Sequence, residues 1–290
     1  MNEFEYKLKV ASEFEKENKF LHALQIYLQL LDNEPYERTA VVKLSEIYEK
    51  LDRKEASVSI LKKYILKNPE DLSIRKYASQ LMVSNGYYQD ALEMLSFISD
   101  NEYPELSFLL GIIHYNLNEL RIAEINFNGF IERNRVSEYL PDAYLYLAKT
   151  QMELNKPDAA LNAAKESEKL SVNNYELHQI FAKIYFIKEM YFHAGESVKK
   201  AIELNKKGAS LYELAGEIMY KTGDFKKAEY YLKSFIKLSV PKSDTYSLLG
   251  HICLNSKQLK AAKEYFDKAL ILNPLNKVAS EGLQQCSLDL

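Results

Sequence analysis

Large apolar side chains recur along this chain at helical spacing, and a small residue interrupts them at two fixed places in each of eight consecutive stretches. The first small column reads Ala11, Ser45, Ser79, Gly111, Ala148, Ala182, Gly216 and Gly250. The second reads Ala23, Ser57, Ala91, Ala123, Ala160, Ala194, Ala228 and Ala262. The stretches begin near Phe4, Arg38, Leu72, Pro104, Pro141, Tyr175, Ala209 and Ser243, at intervals of 34, 34, 32, 37, 34, 34 and 34 residues. A fixed period of this size marks an array of stacked units, each touching only its neighbours. Two antiparallel helices approach closely only where their crossing carries a small side chain. The two columns are therefore read as that crossing, with Phe225, Phe235, Leu249 and Phe266 among the larger residues filling the space around it.

Proline supports the same division, because it lacks a donor N–H and belongs at helix ends. Pro35, Pro69 and Pro274 fall at position 32 of their units, and Pro241 falls one later. Pro104 and Pro141 open first helices, and Pro157 opens a second one.

The pattern resembles the tetratricopeptide repeat, with its Leu-Gly, Tyr, Ala, Phe, Ala and Pro signature over 34 residues. The last unit carries it in Gly250, Ala262, Phe266, Ala269 and Pro274, and the resemblance runs from Phe4 to Pro274. One departure is that the family's tryptophan at position 4 is absent; Tyr144, Tyr212 and Tyr246 stand there in three units, and Lys7, Arg75 and Ser107 in others. The resemblance implies an all-α fold, a right-handed superhelical α-solenoid of antiparallel helix pairs spanning residues 1–290 as a single array.

The resemblance also implies that the first helix of each unit lines a concave surface through positions 2, 5, 9 and 12. On units four to eight this places Phe108, Ile112 and Tyr115, then Leu145, Lys149 and Met152, then Gln179, Lys183 and Phe186, then Glu213, Glu217 and Tyr220, and finally Ser247, His251 and Leu254. Position 12 alone reads Tyr115, Met152, Phe186, Tyr220 and Leu254, a stripe beyond what the core columns need, and surplus apolar surface of this kind marks a contact site. The alternative is that the stripe packs against neighbouring first helices. Lys149 and Lys183 at position 9 stand where a partner's acidic groups could dock, with the sign reversing at Glu213 and Glu217, and solvated charges are the favoured alternative. The asparagine that chaperone-tail clamps of the family require at position 9 is missing from every unit.

Unit four has a first helix, Leu106 to Tyr115, that is apolar almost all round and therefore expected to be buried on most sides. The irregular intervals flank it, and the extra residues near 134–138 are expected to lengthen a helix or loop. Residues 277–290 read as one more helix capping the array, with Val278, Leu283 and Cys286 on one face and Lys277, Glu281, Gln284 and Gln285 opposite; a fragment that continues into a ninth unit is the other reading.

Composition narrows the function classes. A net charge of −3 and a pI near 6.1 provide no global positive field for nucleic acid or anionic lipid. The strict period and acidic balance also argue against a pentatricopeptide-type RNA binder. Cys253 and Cys286 are too few for a disulfide framework and lack metal-ligand spacing, which points to a reducing compartment. The longest apolar run, Phe108 to Ile113, is too short to span a bilayer. No phosphate-binding glycine loop and no His-Glu-x-x-His pattern occurs. His114 at position 11 is expected to be a packing residue.

The expectation is a non-catalytic, cytoplasmic scaffold without cofactor or metal, holding a protein or peptide segment in its groove. A self-assembling structural subunit is the second reading, which leaves a homo-oligomer open.

Overall fold

The structure is a computed structural model and describes residues 2–99, 103–171 and 173–288; the last two residues of the expected cap lie outside them. It contains seventeen α-helices and no strand among the described residues. Eight pairs succeed one another: α1 (Glu3–Lys16) with α2 (Phe20–Leu28), α3 (Glu34–Lys50) with α4 (Lys54–Lys67), α5 (Leu72–Ser84) with α6 (Tyr88–Leu95), and α7 (Leu106–Asn116) with α8 (Leu120–Arg133). The series continues with α9 (Leu140–Glu153) and α10 (Pro157–Leu170), α11 (Tyr175–Ile187) and α12 (Tyr191–Leu204), α13 (Ala209–Lys221) and α14 (Phe225–Leu238), and α15 (Ser243–Asn255) and α16 (Leu259–Leu272). A final helix, α17 (Lys277–Leu288), follows them.

The helices group into two compact units, Met1–Asn134 and Arg135–Leu290. The extra residues after α8 form a loop over 134–139, six residues long, where the later pairs are joined by four. Within each unit, partners in a pair pack along their length, and each second helix meets the next first helix. In the second unit the first helices of successive pairs also touch one another, from α9 to α17.

The small columns explain the close pairing. Every residue of the second column is fully buried, and those of the first column are buried as well. In the second pair the approach is close enough for the Ser57 hydroxyl to donate to the Ser45 carbonyl at 3.2 Å. At Gly111 a Cβ would stand 2.5 Å from the Phe127 ring, and at Gly250 the same distance from the Phe266 ring. No larger residue fits there without moving a buried aromatic.

A second periodic feature lies in the turn inside each pair. At position 15 the backbone passes through the left-handed region, at Asn18, Asp52, Gly86, Asn118, Asn155, Glu189, Gly223 and Lys257. Six of these are residue types that adopt that conformation readily, Gly, Asn or Asp; Glu189 and Lys257 adopt it against their intrinsic preference. That the geometry persists with Glu and Lys shows that the packing of the two helices dictates the turn.

Caps hold the first helices in place. Asp71 receives the backbone N–H of Ile74 at 3.1 Å and the guanidinium of Arg38 at 2.8 Å, with Ser73 and Tyr64 donating their hydroxyls. Burial opposes ionisation of Asp71, but these four donors prevail and hold its pKa at about 2. A carboxylate with a lowered folded-state pKa stabilises fully above the unfolded value near 3.8, and that contribution is lost as pH falls through about 2. Asp71→Ala is therefore expected to lower stability at pH 5 by about 0.5–2 kcal/mol. In urea titrations the gap to the parent protein should narrow steadily between pH 4 and pH 2; a gap independent of pH contradicts the assignment.

Two expectations are corrected and a third holds. The first helix of the second pair starts at Glu34, a turn before Arg38, so Pro35 sits in its first turn, where the missing N–H is harmless. His114 is a satisfied packing residue as expected, its side chain only 12% exposed and its Nδ1 bonded to Glu119. The packed face of α17 is Ala279, Gly282 and Cys286, whereas Val278 is half-exposed. Gly282 accounts for that rotation, since a Cβ on it would stand 2.3 Å from the Phe266 ring. Asn276, itself buried, fixes α17 by accepting the Ala279 N–H at 3.0 Å while its amide donates to Ser243, Asp244 and Ser247.

Candidate functional site

The second unit contains a hollow of about 320 Å³ between its first helices. Phe186 enters it from α11, Glu217, Tyr220 and Lys221 from α13, Asp244, Ser247 and Leu248 from α15, and Val278 from α17. Helical spacing brings these groups together: Glu217 and Tyr220 are three residues apart on one face of α13, as are Asp244 and Ser247 on α15. Phe186 and Tyr220 each lean on the start of their own second helix, with ring centroids 5.9 Å from Tyr191 and 5.7 Å from Phe225. Those contacts fix the rings while leaving part of each toward the hollow.

The carboxylates of the site differ in how they are satisfied. Glu213 is paired with Lys242 at 3.0 Å. Asp244 accepts the Asn276 amide at 3.1 Å. Glu217 takes part in no ion pair or hydrogen bond among the described residues, although it is half-buried. Its pKa is raised, first by burial and then by the neighbouring Glu213, with Asp244 adding and Lys242 and Lys183 subtracting. A carboxyl whose folded-state pKa is raised stabilises the fold below its unfolded value, and loses that contribution as pH rises through the folded value. Glu217→Gln is thus expected to match the parent near pH 4 and to melt higher at pH 7. Thermal melts at the two pH values check this; a variant less stable at pH 7 means that the carboxylate has a compensating partner.

Of the fifteen residues that the sequence placed on the concave surface, Phe186, Glu217, Tyr220 and Ser247 come together here, whereas Leu145 is buried in the core. Phe108 does not reach a surface: it is buried, with ring centroids 5.4 Å from Phe130 and 6.2 Å from Phe127, because the glycine at 111 lets α8 close over it. Ile112 and Tyr115 are half-buried on α7 in the first unit. Lys149 is neither a solvated charge nor a waiting docking point: it is bound to Glu176 and lies over the Tyr146 ring at 4.6 Å. Gln179 donates to Ser210 at 3.3 Å, and Lys183 is exposed. Met152 is half-buried, and Leu254 packs with Cys253 and Phe266. His251 stands edge-on to Phe266 at 5.1 Å; burial pushes its pKa down, offset in part by a hydrogen bond to the Val278 backbone.

Sequence reasoning missed Lys221, Leu248 and Val278. Asp244 occupies position 2, one of the lining positions, so a signal for it existed. Nothing in the repeat pattern marks Val278, whose place depends on how Gly282 seats α17.

Two histidines, His178 and His193, line a smaller cleft of about 190 Å³ with Glu168, Phe181, Tyr185, Glu196, Ser197 and Lys200. Among the described residues no three His, Cys, Asp or Glu side chains are arranged to hold a metal ion, and no helix is long and apolar enough to cross a membrane.

Comparison with known proteins agrees with this architecture. The tetratricopeptide repeat family model matches residues 243–276, the eighth pair with its closing turn. No curated protein matches the chain. Among solved structures, the hetero-tetramer Cut9–Hcn1 of the APC/C superposes with a TM-score of 0.65 at 18% identity, over 92% of this chain and 52% of that one, so the chain spans about half its length. A tetratricopeptide repeat protein from Parabacteroides merdae gives 0.60 at 16% identity, over 88% and 100% of the two chains. YrrB, described as a TPR protein with an unusual peptide-binding site, gives 0.54 at 16%, over 68% and 97%. With eight helix pairs, buried small columns at each crossing and a seventeenth helix behind them, the described residues form an all-α array of antiparallel helix pairs whose fold is similar to that of tetratricopeptide repeat proteins.

Proposed function

We propose that the protein is a non-catalytic scaffold that holds a peptide or protein segment in the hollow formed by α11, α13, α15 and α17. The fold and its neighbours support a protein-interaction scaffold in general, and the finer reading rests on one observation. Phe186, Tyr220, Leu248 and Val278, from four different helices, present apolar surface to one shared space that no side chain of the unit fills. Exposed apolar surface gathered in a concavity is the common mark of a docking site, and a row of helix faces suits an extended or helical segment. The peptide-binding site described for YrrB is compatible with this use of the fold. The Ser247 hydroxyl in the hollow is engaged with the Ser243 carbonyl at 3.1 Å, and the Glu217 carboxylate sits beside apolar groups and further acids, an arrangement suited to recognition.

The test is a pull-down with the intact protein and with a Phe186→Ala, Tyr220→Ala double variant, after thermal melts show that both are folded. Partners retrieved by the parent should be lost from the variant. Equal recovery by both proteins overturns the assignment of the hollow.

A further inference from the structure

The chemistry of the hollow says more about its occupant than its shape does. Its walls are apolar, but Glu217 contributes a half-buried carboxylate that takes part in no ion pair or hydrogen bond among the described residues. The cations nearby do not supply what it lacks. Lys242 is paired with Glu213 at 3.0 Å, Lys183 is exposed and forms no ion pair among the described residues, and Lys221 is exposed at the margin. Asp244 adds a second negative charge on the facing helix, one of its oxygens held by Asn276.

The nature of a docked side chain follows from this. A purely apolar side chain would strip the remaining water from Glu217 and leave a charge without a partner, which is among the costlier events in recognition. An acidic side chain would meet Glu217 and Asp244 with like charge. A long cationic side chain satisfies both features, since its carbon stem lies along apolar surface while its head reaches the carboxylate. The rings of Phe186 and Tyr220 add attraction for a cation placed over their faces.

Building on the scaffold reading, we propose that the segment held in this hollow inserts an arginine or lysine side chain, its stem against Phe186, Tyr220, Leu248 and Val278 and its head at the Glu217 carboxylate. The raised pKa of Glu217 agrees with this placement, because a cation at that point relieves the burial and the repulsion from Glu213 that oppose its charge.

The test uses fluorescein-labelled nonapeptide pools with one fixed central residue, arginine, lysine, glutamine, leucine or glutamate, and randomised flanks. Each pool is titrated by anisotropy against the intact protein, Glu217→Gln, Glu217→Asp and the Phe186→Ala, Tyr220→Ala double variant, all checked by thermal melting. The arginine and lysine pools should bind the intact protein about tenfold more tightly than the leucine and glutamine pools, with the glutamate pool weakest. Glu217→Gln should abolish that preference and leave the leucine pool unchanged, while Glu217→Asp should keep its sign. Equal binding of all pools, or a cationic preference that survives in Glu217→Gln, overturns this proposal and leaves the hollow as a docking site. Binding that is indifferent to the double variant, or absent from every pool, overturns the scaffold reading and this proposal with it.

Discussion

Phe266→Ala should lower the stability of the second unit by about 3–5 kcal/mol, the range for deleting a fully buried aromatic ring. The ring is fully buried and lies between two helices at once. Gly250 of α15 approaches from one side and Gly282 of α17 from the other, so near that a Cβ on either would come within 2.5 Å of it. His251 adds an edge contact at 5.1 Å. Because both glycines already lack side chains, nothing at those two positions can move into the vacated volume. The loss should therefore stay near the upper part of the range, and α17 should lose its seat. Amide hydrogen exchange read along the chain should show faster exchange in α15, α16 and α17, with α1 to α8 unaffected. A small loss spread evenly over the whole chain would mean that the ring is not the keystone of this end.

The second large effect is a pair of opposite signs within one helix pair. Gly111→Ala should destabilise by about 1–3 kcal/mol, because the new methyl stands 2.5 Å from the buried Phe127 ring, which is itself held by Phe108. Gly129→Ala, on the partner helix α8, should stabilise by about 0.5–1 kcal/mol. At that position a Cβ meets the end of the Arg133 side chain at 3.3 Å, which can shift, and the helix gains from losing a flexible residue. Urea titrations of both variants settle the comparison. If the two substitutions behave alike, close approach of the helices is not what the glycine at position 8 provides.

How much of this was visible in the sequence follows from which features are local. The crossing of each pair depends on one small residue per helix, so Ala182 with Ala194, or Gly216 with Ala228, announced the architecture directly. The turn at position 15 was half-written, in Asn18, Asp52, Asn118 and Asn155, and hidden at Glu189 and Lys257, where packing overrides preference. The site was less legible, because a lining residue is defined by which helices face one another. Phe186 and Tyr220 could be found from their column alone. Phe108 misled for the same reason: its column promised a surface, while the rings of Phe127 and Phe130 enclose it. Lys149 misled because Glu176, on the next first helix, already holds it. Val278 became part of the hollow only through the seating of α17, which no repeat column encodes.

The central claim, that a partner docks between α11 and α17, is tested most directly by site-specific photo-crosslinking. A benzophenone amino acid is placed in turn at Phe186, at Tyr220, and at Phe192 and Tyr230, which are exposed on the second helices α12 and α14. Partner adducts should form from Phe186 and Tyr220 and be absent from Phe192 and Tyr230. Adducts formed from Phe192 or Tyr230 but from neither residue of the hollow would contradict it.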